Sequence, residues 1–125
     1  MVFLDTNIIL EIILNDRAKF QQVRNFLEKL DDVTAISMLS VHLIMYFGRK
    51  EKANETYLNE IIDQNILLSL TSADYKWAKK NEYKKDFEDA LQLAIAIRAG
   101  CDAFVTLDQD LVNSYADLPI KIQLV

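Results

Sequence analysis

Residues 2–4, Val-Phe-Leu, make an apolar run too short for a helix, and it ends on the carboxylate of Asp5. Directly behind it Ile8, Ile9, Ile12 and Ile13 recur at helical spacing. A strand feeding straight into a helix is the opening half of a strand–helix–strand unit, which builds a parallel sheet. In an open parallel sheet ligands bind outside the carboxyl ends of the strands, and Asp5 stands at such an end. A desolvated lone carboxylate is costly, so an acid there calls for a partner such as a cation. The question is whether other acids converge on it.

The same alternation continues down the chain. Helical spacing spans about 7–15, and again 18–30, where Phe20, Val23, Phe26, Leu27 and Leu30 share a face before Asp31-Asp32 breaks the pattern. A strand is expected over 33–36. A helix over 39–47 follows, capped by Ser37 or Ser40 and interrupted or ended by Gly48. An amphipathic helix over 51–63 and a strand over 66–70 come next. Thr71-Ser72-Ala73-Asp74 reads as a capping box opening a further helix. Asp86 reads as the N-cap of a helix running to about Ala99, with Gly100 as its stop; Ala90, Leu91, Leu93, Ala94, Ile95, Ala96 and Ile97 make it apolar nearly all round and therefore buried. Strands over 103–106 and, after Pro119, over 120–125 complete the set, the last at an edge.

The expected architecture is α/β, a central and mostly parallel sheet of four to five strands flanked by helices. With only 2 Gly and 1 Pro in 125 residues, long helices and short connections are favoured over an all-β design. No linker, low-complexity stretch or internal repeat divides the chain, so residues 1–125 are read as one domain, long enough to bury a core. Cys101 is the single cysteine, which excludes an internal disulfide framework and a Cys-based zinc site. No apolar run approaches the ~18–20 residues of a membrane span, and a cytoplasmic protein is expected.

Three further acids are placed to join Asp5. Asp89 lies in the first turn of the apolar helix on the side of Leu93 and Ala96, Asp86 is one turn earlier, and Asp108 follows the fourth strand by two residues. Strand ends and the start of that helix meet at one rim of such a sheet. Gathered carboxylates repel unless protonated or neutralised by a cation. Hard oxygen donors without a Cys or His cluster suit Mg²⁺ or Mn²⁺ rather than zinc. Each acid also has a plainer role: Asp86 as a helix cap, Asp89 as a counter-charge to the helix dipole, Asp108 and Asp110 as turn residues, Asn7 and Thr106 as polar caps.

Taken together, Asp5-Thr6-Asn7 after an N-terminal strand, Asp86-Phe87-Glu88-Asp89-Ala90 opening an apolar helix, and Val105-Thr106-Leu107-Asp108-Gln109-Asp110 after the last core strand resemble the PIN domain. The resemblance covers essentially the whole chain, and length and helix count match the compact bacterial or archaeal members that include VapC-like toxins. It implies a PIN-like fold and a Mg²⁺- or Mn²⁺-dependent ribonuclease specific for single-stranded RNA. Asp5, Asp89 and Asp108 would be metal ligands, Asp86 a possible further acid, and Asn7 and Thr106 supporting residues. It also implies a toxin held inactive by a cognate antitoxin, and a homodimer.

One position departs from the family pattern. The helix after the second strand usually carries a fourth acid, and matching Ile36-Ser37-Met38-Leu39-Ser40-Val41 to that segment places Leu43 there, with His42 beside it. Leucine cannot hold a metal, and the His42 ring points about 100° away around the helix. An alternative is therefore a weakened or inactive PIN-fold module that binds RNA or protein. A haloacid-dehalogenase-like phosphatase is disfavoured because Asp5-Thr6-Asn7 lacks the second Asp, and a receiver domain because Leu68-Ser69-Leu70-Thr71 offers no nucleophilic acid. The net charge of −5 neither requires nor excludes RNA. The densest basic stretches are Arg49-Lys50-Glu51-Lys52 and the set Lys76, Lys79, Lys80, Lys84 and Lys85, which leads into Asp86; they are either a guide for phosphate or a solvated helix face.

Overall fold

In the computed structural model, which describes residues 1–14 and 16–125, five strands form one sheet in which every neighbouring pair is parallel. In chain order the elements are β1 (Val2–Leu4), α1 (Thr6–Ile13), α2 (Phe20–Lys29), β2 (Thr34–Ser37), α3 (Met38–Lys50), α4 (Glu55–Asp63), β3 (Ile66–Leu68), α5 (Ser72–Asn81), α6 (Phe87–Arg98), β4 (Ala103–Thr106), α7 (Gln109–Ser114) and β5 (Lys121–Leu124), with a short 3₁₀ turn at Glu82–Lys84. The strand order is β3-β2-β1-β4-β5. The chain thus winds outward from β1 to one edge, then crosses over and winds to the other. The reversal falls between β1 and β4.

The central strands are buried on both faces, as their unbroken apolar runs require. Val2, Leu4, Ala103 and Val105 face one side, where α1 to α4 supply Ile8, Ile9, Val23, Ile44 and Leu58. Phe3 and Phe104 point to the other side and stack at 5.1 Å between ring centroids, packed by Leu93, Ile95 and Ala96 of α6 and Leu111 of α7. The two-residue period of β1 and β4 therefore divides the core into two layers.

Several element bounds differ from expectation for local reasons. α2 starts at Phe20 rather than residue 18, and α1 ends at Ile13 with Leu14 as its C-cap; Asn15, the last position of the expected helix, lies outside the described residues. Ser37, not Ser40, caps α3, its Oγ accepting from the Ser40 N–H at 3.0 Å. Gly48 does not end α3, which runs on to Lys50. Instead, a Cβ at Gly48 would lie 2.8 Å from Leu58 Cδ1, so the glycine lets α3 and α4 approach closely. α4 begins at Glu55 because Asn54 caps it, leaving 51–54 as a connection with Lys52 at φ 58°. The capping box of Thr71 and Asp74 and the left-handed stop at Gly100 (φ 73°) form as expected. α7 was not expected; Asp108 caps it by accepting from the Asp110 and Leu111 N–H groups.

Candidate active site

The crevice at the β1/β4 reversal is where an open α/β sheet places its ligand. Asp5 ends β1 there, 6% exposed, its backbone N–H donating to Val105 O at 2.9 Å. Thr106, at the end of the adjacent β4, donates its hydroxyl to Asp5 Oδ2 at 2.8 Å. Asn7 Nδ2 donates to the same Thr106 Oγ1 at 3.3 Å, and Asn7 Oδ1 accepts from the Leu107 N–H. The backbone N–H of Asp108 also donates to Thr106 Oγ1, at 3.1 Å. One threonine hydroxyl thus ties Asp5, Asn7 and the Asp108 backbone together. The turn leading into α7 holds Asp108 at the same rim.

α6 brings Asp89 to this rim. Asp86 Oδ1 caps the helix by accepting from the Asp89 N–H at 2.8 Å, and its side chain is otherwise exposed. The inward turn of Asp89 expected from the sequence is present: the residue is half-buried, ahead of fully buried Ala90 and Leu93. Between Asp89 and Asp108 stands Lys85. Its Nζ lies 2.7 Å from Asp108 Oδ2 and 3.0 Å from Asp89 Oδ2.

Burial and crowding of charge set the acidities. Burial drives the Asp5 carboxyl up to about 6 against the hydrogen bonds from Thr106 and the Thr6 N–H, with the charges of Glu88 and Asp108 adding to the rise. Burial likewise pushes Asp89 up to about 7; Lys85 opposes this and the neighbouring Asp86 reinforces it. Burial also acts on Asp108, but the Lys85 ammonium and the N–H groups of Leu111 and Asp110 outweigh it and hold that carboxyl below its ordinary value. The Lys85 ammonium is correspondingly held protonated, chiefly by Asp108.

Among the described residues no three acids, histidines or cysteines are drawn together closely enough to share one ion. Asp5 turns to Thr106, while Asp89 and Asp108 turn to Lys85. The chemistry of the donors nevertheless fits a hard divalent cation, being carboxylate oxygen throughout. Asp89 Oδ2 is the sign of such a fit: it is buried and within ion-pair distance of Lys85, yet no donor meets it with hydrogen-bond geometry. His42 offers no ligand, for it is exposed on a groove with Met45, Tyr46 and Arg49. It lies about 200° around the helix from Ser40, whose hydroxyl faces Thr6. Leu43 is half-buried.

Two features of the rim escaped sequence reasoning. Gln92 is 1% exposed, donating to Thr6 Oγ1 at 3.2 Å and Ser40 Oγ at 3.0 Å and accepting from Ser37 Oγ at 2.7 Å. Its signal was visible, since it is the sole polar residue between Ala90 and Ile97. Lys85 was counted only as one of a basic set. In that set Lys79 pairs with Glu82 and Lys84 with Asp117, so much of the positive charge is already matched.

The family profile of the PIN domain matches residues 1–110. The chain belongs to the PIN domain family. Its five-stranded parallel sheet and flanking helices are that fold. Solved structures agree: a Mycobacterium tuberculosis toxin, VapC20, described as cleaving the sarcin–ricin loop, superposes with a TM-score of 0.78 at 14% identity over 92% of this chain and 95% of its own. A chain of a toxin–antitoxin complex from Klebsiella pneumoniae gives 0.74 at 20% identity over 95% and 93%. One from Rickettsia felis VapBC2, bound to a fragment of its promoter DNA, gives 0.66 at 15% identity over 100% and 99%. At these identities the likeness establishes the fold. No curated protein matches the sequence of this chain. Among its described residues, no helix is long and apolar enough to cross a membrane.

Proposed function

We propose that this PIN domain is a Mg²⁺- or Mn²⁺-dependent endoribonuclease of the cytoplasm that cuts single-stranded RNA, and that it is the toxin of a toxin–antitoxin pair. The observation that carries the reading is a buried Asp89 oxygen that no hydrogen-bond donor meets, on the rim of the sheet where Asp5 and Asp108 also stand. Family membership and the toxins and toxin–antitoxin complexes among the structural neighbours support it. The same neighbours favour a protein antitoxin as partner, and a homodimer is part of the proposal.

Asp5, Asp89 and Asp108 would hold the metal, which when bound lowers the pKa of a water and offsets charge on the departing phosphodiester oxygen. Thr106 and Asn7 fix the Asp5 carboxylate so that one oxygen is engaged by the hydroxyl. Because burial raises Asp5 and Asp89 to about 6 and about 7, both carry protons part of the time near neutrality and release them when a cation arrives. Metal uptake should therefore strengthen as pH rises through that range.

A second reading has one observation in its favour. Leu43 fills the position where the family pattern puts an acid, which suits a module that binds RNA or protein without cutting it. Cleavage of an end-labelled single-stranded RNA with Mn²⁺ or Mg²⁺, comparing the native chain with Asp5→Asn and Asp89→Asn, decides between them. Metal-dependent cleavage lost in both variants is the expected result. RNA that binds but is never cut would establish the module, and equal cleavage by all three chains would mark a contaminant.

A further inference from the structure

We propose that Lys85 is the built-in second cation of the site, so that each chain takes up one divalent ion rather than two. The proposal rests on the reading of Asp5, Asp89 and Asp108 as metal-binding acids. Lys85 differs from its basic neighbours in what it touches. Lys79 and Lys84 each pair with a single acid outside the rim, Glu82 and Asp117. Lys85 bridges two acids of the rim at 2.7 and 3.0 Å, with its side chain 23% exposed.

Its backbone fixes that placement. Lys85 sits between the 3₁₀ turn and the α6 cap, and its N–H donates to Glu82 O at 3.2 Å. The ammonium is thereby delivered to the start of α6 rather than trailing from a solvated face.

Charge balance leads to the same conclusion. Two divalent ions held about 3.5–4 Å apart need a rich set of carboxylates to offset their mutual repulsion. Here Leu43 removes one acid from the family pattern, and Lys85 neutralises part of what remains. The ammonium cancels one of the carboxylate charges that a second divalent ion would require. An ammonium has three N–H donors. Asp89 and Asp108 both stand within ion-pair distance of the Lys85 ammonium.

Calorimetric titration of the full chain with Mn²⁺ tests this, using the native protein, Lys85→Met, Lys85→Gln and Lys85→Arg, with circular dichroism to confirm folding. One Mn²⁺ per native chain is expected, and one per chain for Lys85→Arg, which keeps the charge. Lys85→Met and Lys85→Gln should bind Mn²⁺ at least about tenfold more tightly or take up a second ion, because an opposing positive charge has gone. Two ions on the native chain would overturn the proposal, as would unchanged or weaker binding in both neutral variants, while the metal-site reading would stand. Absence of Mn²⁺ binding in every chain would overturn both.

Discussion

Replacing Asp5 by Asn should stabilise the metal-free protein at neutral and alkaline pH. Asp5 is buried, and that burial lifts its carboxyl from 3.8 to about 6. An acid raised in the native state binds its proton more tightly there than in the unfolded chain. Its favourable contribution is thus complete below about pH 4 and is lost as pH rises through about 6. A shift of about two units at 1.36 kcal/mol each makes the ionised carboxylate a cost of about 3 kcal/mol near pH 8. Asparagine has the same shape, carries no charge, and can accept the bond that Thr106 now donates at 2.8 Å. Allowing for imperfect replacement of that bond, a gain of about 1–3 kcal/mol is expected, or roughly 4–10 °C in Tm for a domain of this size. Urea unfolding in EDTA at about pH 8 and about pH 4 measures it, and the gain should shrink toward zero at the lower pH. An Asn variant less stable than native at the higher pH, or equally favoured at both, would refute the reasoning. Excess Mn²⁺ should narrow or reverse the order, because it stabilises only the chain that binds it.

Two further substitutions probe the supports of the site. Gln92→Leu should lower stability by about 2 kcal/mol, since it strips partners from the buried hydroxyls of Thr6, Ser37 and Ser40; an unchanged urea midpoint would show that these hydroxyls satisfy one another. Gly48→Ala should cost about 0.5–2 kcal/mol, because a Cβ placed 2.8 and 2.9 Å from the Leu58 methyls overpacks the α3–α4 contact by more than the better helix propensity returns. Pairing it with Leu58→Ala should give a smaller loss than the two single changes added together.

Lys85 alters the picture of an acid rim. Four gathered carboxylates, as read from the strand ends, would be a strongly anionic site. The structure instead leaves Asp86 at a helix cap and turns Asp89 and Asp108 toward an ammonium. The electrostatics are therefore nearer balance, and Asp5 and Asp89 are the two acids of the rim whose pKa values burial raises.

Local chemistry determined a good deal. The apolar runs of β1 and β4, the capping box at Thr71 and Asp74, the stop at Gly100 and the inward face of α6 all depend on residues a few positions apart, so their spacing reveals them. The alternation of strands and helices implied a parallel sheet, and acids behind β1 and β4 marked its rim. What the sequence could not decide were contacts between elements distant in the chain. Gly48 reads as a helix breaker until Leu58, from a different helix, is seen to need the space. Lys85 reads as one of many surface lysines until Asp108, from the far side of β4, comes within 2.7 Å of it. Periodicity reports only which face a residue occupies, whereas the partner of a buried charge is fixed by where separate elements meet, and that is settled only when the layers pack.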